Sequence, residues 1–251
     1  MSLRFSIITC TWNSLPYLEE SITSVLIQDY PHIEYIFVDG GSTDGTLALI
    51  QSLRRPYTLI ENVRGGISKA MNAGIQAATG DVIAHLHSDD YYLSPDVLST
   101  VARKLDDGKH GWLFGRTVTD IDGDLHPEGW VAPRFSYRRL LRGNFIPHPA
   151  TFVRRELMQR TGGFDNNLRY AMDYDLWLKL ACLSQPAQLD IPLAAFREHE
   201  GSLSTRNRLA AMEEDMMVRL AHVGRHPLEK AMHYLRYFVR RQRILQTGSG
   251  R

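Results

Sequence analysis

Cysteine is scarce in this chain, which has two cysteines among 251 residues. Cys10 lies in an apolar run and Cys182 in a helix-like run, so no disulfide framework is indicated and a reducing, cytoplasmic compartment is expected. Long apolar runs are missing too, since no segment approaches the ~20 apolar residues that span a bilayer. The first residues, MSLRFSIITCTWN, also lack the apolar core and cleavage site of a signal peptide.

A strong net charge is also lacking. The formal charge is +1 at pH 7, which argues against a nucleic-acid-binding surface. With 43% hydrophobic and 23% charged residues, the composition is that of a globular protein rather than a disordered one. The sequence contains no internal repeat and no obvious linker, so a single domain is predicted.

The first half of the sequence alternates strand and helix patterns. Apolar strands are predicted in the segments FSIITCT, IEYIFVD, YTLIEN and DVIAHLH, with helix-length segments between them. This order indicates an α/β fold with a mostly parallel central sheet and helices on both faces. Ligands of such sheets gather at the carboxyl ends of the strands. A polar rim is therefore expected at residues 11–13, 39–43, 61–64 and 88–90.

The second half is less regular. A strand is predicted to enter a hairpin at the Asp122-Gly123 turn. The segment VRRELMQRTGG is predicted to be a helix that ends at glycine. The segment DYDLWLKLACLS reads as an amphipathic helix, with Trp177 expected in the core.

The tail RHPLEKAMHYLRYFVRRQRIL is predicted to form a basic amphipathic helix. Its apolar face would contain Leu228, Ala231, Leu235, Phe238 and Val239, and its arginines are Arg236, Arg240, Arg241 and Arg243. Such helices lie on anionic membrane surfaces, which would place the protein at the inner face of the plasma membrane. The alternative is a helix packed on the domain with a solvated basic face.

Three motifs fall on the predicted rim. In VDGGSTDGT, Asp39 ends a strand, and Ser42 or Thr43 is predicted to cap the next helix. The motif is either a capped turn or a nucleotide pocket in which Asp39 accepts hydrogen bonds from a base or ribose. Because the first strand leads into TWNSLP and not into G-x-G-x-x-G, a dehydrogenase-type phosphate cradle is unsupported.

The other two motifs would suit a diphosphate and a cation. In RGGISKAMNAGIQAATGD, two glycines open a helix that has Arg64 and Lys69 near its start, which suits a diphosphate or is simply a surface helix. In HLHSDDYY, His87 and Asp89 share one strand phase, and Asp90 follows. Carboxylates at a strand end suit Mg²⁺ or Mn²⁺ bridged to substrate phosphates.

In this order the motifs resemble the family 2 glycosyltransferases, which have the GT-A fold. The resemblance rests on FSIITCTWN, FVDGGSTDGT, GGISKAMNAGIQAATGD, HLHSDD, GGFD, MDYDLWLKL and FREHEGSLS. It implies inverting transfer from a nucleotide-diphospho-sugar, expected to be a UDP-sugar, with Mn²⁺ or Mg²⁺. The implied acceptor is a saccharide or lipid-linked saccharide in bacterial surface or capsular polysaccharide synthesis.

The resemblance also implies an organisation of the chain. A GT-A domain would cover residues 1–205, with a nucleotide-binding half over 1–94 and an acceptor half over 95–205. A helical basic extension would cover residues 206–251.

Roles follow from the resemblance by position. Asp39 would hold the uracil and Asp89 the metal, with His199 as a further metal or diphosphate contact. Asp173 matches the catalytic base, with Asp175 as the second candidate. The other nucleotide-sugar contacts implied are Thr9, Thr11, Asn13, Arg64, Lys69, Asn72, His87, Ser88, Asp90 and Arg197.

Two positions depart from the family pattern. Met172 stands where glutamate is frequent, and His87 stands where the first aspartate of the D-x-D motif is usual. An imidazole suits Mn²⁺ or Zn²⁺ better than Mg²⁺, but we expect His87 to contact the donor rather than the metal. His148 is expected near the acceptor.

Two alternatives to a glycosyltransferase are a sugar-phosphate nucleotidyltransferase and a non-catalytic nucleotide-sugar-binding protein. The first is disfavoured because ITCTWNSLP has no glycine-rich basic loop. The second would not need Asp89 and Asp173, which are both present.

Overall fold

The structure is a computed structural model that describes residues 2–127, 133–199, 207–224 and 226–248. The predicted boundary at residues 205 and 206 lies outside the described residues. The strands are β1 Phe5–Thr11, β2 Ile33–Asp39, β3 Thr58–Ile60, β4 Val82–His85, β5 Tyr91–Tyr92, β6 Trp112–Ile121, β7 Asp124–Pro127, β8 Thr151–Arg154 and β9 Ala187–Arg197. The helices are α1 Leu15–Leu26, α2 Thr46–Gln51, α3 Ile67–Ala77, α4 Val97–Leu105, α5 Tyr137–Leu140, α6 Arg155–Thr161, α7 Met172–Leu183, α8 Arg208–His222 and α9 Pro227–Gly248.

The described strands form one sheet in the order β3-β2-β1-β4-β8-β6-β9-β5, with β7 paired to β6. The four strands β1 to β4 are parallel, as predicted. Beyond β4 the sheet is mixed, because β8 runs antiparallel to both β4 and β6 while β9 runs parallel to β6. The α/β class is confirmed. The strands β1 to β4 are all parallel because a helix lies between each strand and the next, and a parallel pair needs such a crossover connection.

The two faces of the sheet bury separate hydrophobic clusters. All seven residues of β1 are buried. Ile8 points to a cluster that includes Met71 of α3 and Trp177 of α7. Phe5 points to the opposite cluster, with Leu18 of α1. Alternation along the strand thus places helices on both faces, and Trp177, 1% exposed, lies in the core as predicted.

Turn chemistry decides several local features. Asp122 and Gly123 both have positive φ (53° and 92°), and they close the predicted β6–β7 hairpin. The helix α6 ends at Gly162 with φ 77°, also as predicted. The predicted capping by Ser42 or Thr43 is wrong, because α2 begins later, at Thr46.

The last helix, α9, packs on α8 and leaves apolar side chains exposed. Leu228, Leu235, Phe238 and Val239 are between 47% and 80% exposed. The Arg243 side chain lies outside the described residues. No helix in the described ranges is long and apolar enough to cross a membrane.

Candidate active site

Asp39, at the end of β2, is completely buried. Its Oδ1 accepts hydrogen bonds from the backbone N–H groups of Gly41 (2.7 Å) and Ser42 (2.8 Å), and its Oδ2 accepts one from the Thr11 hydroxyl (2.9 Å). Burial alone would raise the pKa of Asp39, but the hydrogen bonds from Ser42, Gly41 and Thr11 outweigh burial and lower it. The carboxylate is therefore an ionised, fixed acceptor beside the rim.

The loops after β1 and β2 are tied together by Asn13, which has a positive φ of 50°. Its N–H donates to the Ser42 hydroxyl (2.8 Å), and its Oδ1 accepts from the Thr43 N–H (2.9 Å). Thr9 does not reach the rim, because it is buried and donates to the Leu86 carbonyl (2.7 Å). The rim expected from the sequence thus brings Thr11, Asn13 and Asp39 together but leaves Thr9 inside the sheet.

Trp12 also lies on the rim, although the sequence motifs do not predict a contact with the donor for it. Its side chain is 72% exposed, and a Cβ added to Gly40 would lie 3.4 Å from its ring. An exposed indole is unusual for a soluble surface, and a flat ring beside Asp39 offers a stacking surface for a base. The sequence feature that would predict this role for Trp12 is an aromatic residue directly after a buried strand.

Two exposed cations lie on the same rim. A Cβ at Gly41 would lie 3.3 Å from the Arg64 guanidinium, so Arg64 lies over the Asp39 loop. The Lys69 side chain folds across Gly65, where an added Cβ would be 2.8 Å from its Cδ. Both positive side chains face solvent near the start of α3, where an anion would also meet the helix N-terminus.

Asn72 has a structural task that the sequence motif did not reveal. Its Nδ2 donates to the Phe164 carbonyl (2.8 Å) and its Oδ1 accepts from the Phe164 N–H (2.9 Å). A further hydrogen bond joins Nδ2 to Asn166 (3.0 Å). The Asn72 amide thus holds the loop between α6 and α7 against α3. Because both its Nδ2 and its Oδ1 are engaged there, little hydrogen-bonding capacity remains for the predicted ribose or diphosphate contact.

Asp89 and His199 form a pair across 110 residues. Oδ2 of Asp89 lies 3.0 Å from Nε2 of His199, and both side chains remain partly exposed. The His199 ring packs against Tyr17 of α1, with centroids 4.8 Å apart. The structure therefore brings together the two residues that the sequence assigned to the metal.

The Arg197 side chain is largely occupied by the protein itself. Its guanidinium donates to Asp120 (3.1 Å) and Glu20 (2.5 Å), and it lies between the rings of Tyr17 and Tyr91 at 4.9 and 5.1 Å. These contacts fasten the end of β9 to β6 and α1. Arg197 thus places His199, two residues later, instead of pointing freely at a diphosphate.

Asp90 and Ser88 also contact the protein. Asp90 is 2% exposed and its carboxyl oxygen accepts the Arg197 N–H (3.2 Å). Burial, followed by the negative charge of Asp89, raises the pKa of Asp90 well above its usual value. The Ser88 hydroxyl donates to Ser14 (2.9 Å), which keeps the loop after β4 close to α1.

A group of three histidines lies behind Asp89. The His148 ring is 5.5 Å from that of His85 and 5.0 Å from that of His87. One ring nitrogen of each is buried without a hydrogen-bond partner in the described part of the chain. Burial, with the neighbouring histidines, lowers the pKa of His85 to about 3 and that of His148 well below its usual value. These two imidazoles are therefore neutral.

The candidate base Asp173 lies in the first turn of α7. Its Oδ1 accepts from the Tyr174 N–H (2.6 Å) and its Oδ2 from the Asn144 amide (3.1 Å). Burial raises the pKa of Asp173 to about 7, and the charge of Asp215 adds to the rise. A carboxyl that titrates near neutrality is suited to taking up a proton.

Asp175, the second candidate, is engaged elsewhere. It is 8% exposed and accepts from Lys179 (2.6 Å) and His222 (3.0 Å). Burial would raise the pKa of Asp175, but its hydrogen bonds to His222 and Lys179 outweigh burial and lower it. The structure thus favours Asp173 over Asp175 as a base.

His148 links the two halves of the site. Its ring contacts His87, two residues before Asp89, and also Trp177 (5.5 Å), one turn after Asp173. The metal candidate and the base candidate therefore flank one histidine group. His148 lies in the short 3-10 turn His148–Ala150, next to Trp177 of α7.

Comparison with known proteins identifies the family. The profile described as "Glycosyl transferase family 2" matches residues 6–160, which is more than half of the chain. The chain belongs to glycosyltransferase family 2. An uncharacterized glycosyltransferase of Mycobacterium tuberculosis (strain ATCC 25618 / H37Rv) is 32% identical over 195 residues, which cover 76% of this chain and 74% of that protein.

More distant similarities support the same fold. The hyaluronan synthase of Pasteurella multocida is 32% identical over 70% of this chain but 18% of its own length. The crystal structure of S. aureus TarS 1–349 in complex with UDP-GlcNAc has a TM-score of 0.73 at 23% identity, covering 92% of this chain and 69% of that one. A mannosyltransferase from Pyrobaculum calidifontis in complex with GDP-Man and Mn²⁺ has a TM-score of 0.70 at 21% identity, covering 95% and 70%. The chain thus has the GT-A fold and is a glycosyltransferase.

Proposed function

We propose that this glycosyltransferase transfers a sugar from a nucleotide-diphospho-sugar, expected to be a UDP-sugar, with inversion at the anomeric carbon. The observation that carries the proposal is Asp173, a half-buried carboxyl whose pKa is raised to about 7. It lies on α7, whose Trp177 contacts His148 of the histidine group that includes His87. The similar structures in complex with UDP-GlcNAc and with GDP-Man support a nucleotide-sugar donor.

The donor would lie along the rim. The fixed, ionised Asp39 would accept a hydrogen bond from the base, with the Trp12 ring as a stacking surface. Arg64 and Lys69 would face the ribose and diphosphate, because both cations are exposed beside the start of α3. Thr11 and Asn13 would act indirectly, by holding Asp39 and its loop.

Asp89 and His199 fit a divalent cation. Their two ligand atoms are 3.0 Å apart, which is the spacing of adjacent ligands that each lie ~2.1 Å from one ion. A carboxylate oxygen and an imidazole nitrogen suit Mn²⁺ better than Mg²⁺. No group of three or more such side chains that could hold a metal occurs in the described ranges, so the donor diphosphate would complete the coordination. When bound, the ion supplies positive charge at the leaving diphosphate.

Inverting transfer is a single displacement. The acceptor hydroxyl oxygen forms a bond to the anomeric carbon while the bond from that carbon to the diphosphate oxygen breaks. Asp173 takes the hydroxyl proton, and the electron pair of the broken bond leaves with the nucleoside diphosphate. One carboxylate therefore acts as base, in contrast to the two carboxyl groups of a glycosidase.

The experiment for the donor is a thermal-shift panel of UDP-, GDP- and TDP-sugars, each with and without Mn²⁺. We expect stabilisation by one nucleotide class that increases with Mn²⁺. For inversion, the anomer first released by donor hydrolysis is read by NMR before it equilibrates. Retention of the donor's anomeric configuration, or donor-independent thermal shifts throughout the panel, would contradict the proposal.

We also propose that α9 contacts an anionic membrane, where a lipid-linked acceptor of surface polysaccharide synthesis would be presented. Leu228, Leu235 and Phe238 are 80%, 66% and 55% exposed, beside the exposed Arg236 and Arg240. Apolar and basic side chains on one exposed helix are the composition of interfacial helices.

A truncation tests the membrane proposal. The chain ending at Gly224 keeps α8 and should retain donor hydrolysis but lose binding to phosphatidylglycerol vesicles. Full-length protein should bind these vesicles and not neutral phosphatidylcholine vesicles. If the truncated chain binds as strongly as the full chain, α9 is not the membrane contact.

A further inference from the structure

The backbone directly before α7, residues 169–171, is capped by a carboxylate from a distant part of the chain. The backbone N–H groups of Arg169 and Ala171 donate to the Glu214 carboxylate at 2.9 and 2.6 Å, and the N–H of Tyr170 donates to the same carboxylate. These donors directly precede α7 and have no capping side chain of their own, because Ala171 occupies the cap position. Glu214 thus holds the three residues in front of the helix, whereas a local serine or aspartate cap accepts from N–H groups of the first turn.

Glu214 belongs to α8, which lies along α7 over several turns. His222 contacts Asp175 at 3.0 Å. The Arg219 guanidinium lies 5.7 Å from the centre of the Tyr174 ring and is paired with Asp215 at 2.8 Å. These contacts fix α8 against the helix that carries the candidate base, so the cap is part of a packed interface.

The capped segment ends two residues before Asp173. A carboxyl in the first turn of a helix is placed by the backbone in front of it, and here that backbone is held by Glu214. Without the Glu214 carboxylate, the N–H groups of residues 169–171 would lose their acceptor and the first turn of α7 would shift. A displacement of a catalytic group on this scale lowers the reaction rate by a large factor.

We propose that Glu214 is a positioning residue for the base Asp173, and that α8 is therefore part of the transferase site. The inference rests on the proposed role of Asp173 and deepens it. Glu214 does not contact the reacting atoms in this account; it acts through the backbone of residues 169–171.

Glu213 provides a matched control on the same helix. It is exposed, and its carboxylate accepts from the Tyr237 hydroxyl at 3.3 Å rather than from the α7 segment. The variants are Glu214→Gln, Glu214→Leu, Glu213→Gln and Glu213→Leu. Glutamine keeps one oxygen that can accept from all three N–H groups, whereas leucine removes every acceptor.

The kinetic readout separates positioning from general damage. For Glu214→Leu we expect kcat to fall on the order of 10- to 100-fold, with donor stabilisation in the thermal-shift panel unchanged. Glu214→Gln should lose less, and both Glu213 variants should stay within about twofold of the parent. Equal kcat values for Glu214→Leu and Glu213→Leu would overturn the proposal.

A second measurement does not depend on enzymatic turnover and can be made on variants of lowered stability. Hydrogen–deuterium exchange of the backbone amides at residues 169–171 should be faster in Glu214→Leu than in Glu213→Leu, while exchange in β1 stays the same. Unchanged exchange at residues 169–171 would refute the cap whatever the activity. Full activity in Asp173→Asn would instead contradict the base assignment, so the two failures are distinguishable.

Discussion

Replacing Asp173 by asparagine tests the proposed base through two quantities that should move in opposite directions. The substitution keeps the shape of the side chain and its hydrogen bond from Asn144 but removes the titrating carboxyl. Burial, with the charge of Asp215, raises the pKa of Asp173 from 3.8 to about 7. As the pH rises, Asp173 of the parent enzyme should therefore lose its proton and become able to act as a base, while the folded protein loses stability.

The magnitude follows from the pKa shift. A rise of about three units corresponds to ~4 kcal/mol in favour of the neutral form at ~1.4 kcal/mol per unit. Because the side chain is half-buried, solvent screening reduces this to about 2 to 3 kcal/mol. The folded carboxyl binds its proton more tightly than the unfolded one, so the contribution is complete below pH ~4 and is lost as the pH rises through ~7.

Urea unfolding and transfer rates at pH 4.5 and 8 provide the assay. Asp173→Asn should gain about 2 to 3 kcal/mol of stability relative to the parent between these two values. Its transfer rate should fall on the order of 10²- to 10⁴-fold, whereas the parent rate should rise about tenfold per pH unit up to pH ~7. Asp175→Asn is the control, and its transfer rate should show the same rise with pH as that of the parent.

Two results would refute this reasoning. One is a parent and an Asp173→Asn variant whose stabilities depend on pH in the same way. The other is transfer by Asp173→Asn at the parent rate, which would assign the proton to another acceptor. Either result would also require a different explanation for the half-buried carboxyl at the start of α7.

Two further predictions concern the metal pair and the α3 anchor. Asp89→Asn should abolish the Mn²⁺-dependent part of the donor thermal shift and leave the metal-free part, because Asp39 and the exposed cations remain; an unchanged Mn²⁺ effect would exclude Asp89 as a ligand. Asn72→Ala should lower the free energy of unfolding by about 2 to 3 kcal/mol, since three hydrogen bonds are lost and both backbone groups of Phe164 are left unpaired. Urea unfolding measures this loss, and a change below about 0.5 kcal/mol would show that the anchor is dispensable.

The rim could be predicted because its residues follow buried strands. Strand ends are visible as apolar runs that stop at polar residues, and a parallel sheet collects such ends on one edge. Thr11, Asn13 and Asp39 were found in this way, and the structure joins them by hydrogen bonds. Thr9 is expected at the donor from the family resemblance, but its position two residues before the strand end buries it.

The supporting contacts could not be predicted, because their partners are far apart in sequence. Arg197 pairs with Asp120 and Glu20, which are 77 and 177 residues away. Glu214 reaches residues 169–171 from 43 to 45 residues further on. A charged side chain in a motif is equally compatible with a ligand contact and an internal one, and only its spatial neighbours distinguish the two.

The predicted division at residue 94 is therefore a division of roles in the sequence rather than of independent folding units. Within residues 1–94, β4 pairs with β8 on the side away from β1, and β5 pairs with β9, so both strands have a partner in the second half. The proposed metal pair likewise needs His199 from beyond β9. A fragment ending at residue 94 would keep Asp39 and Asp89 but lose the partners that order β4, β5 and the loop between them. The proposed donor and base sites consequently depend on one continuous fold, to which the last third of the chain contributes His199 and Asp173.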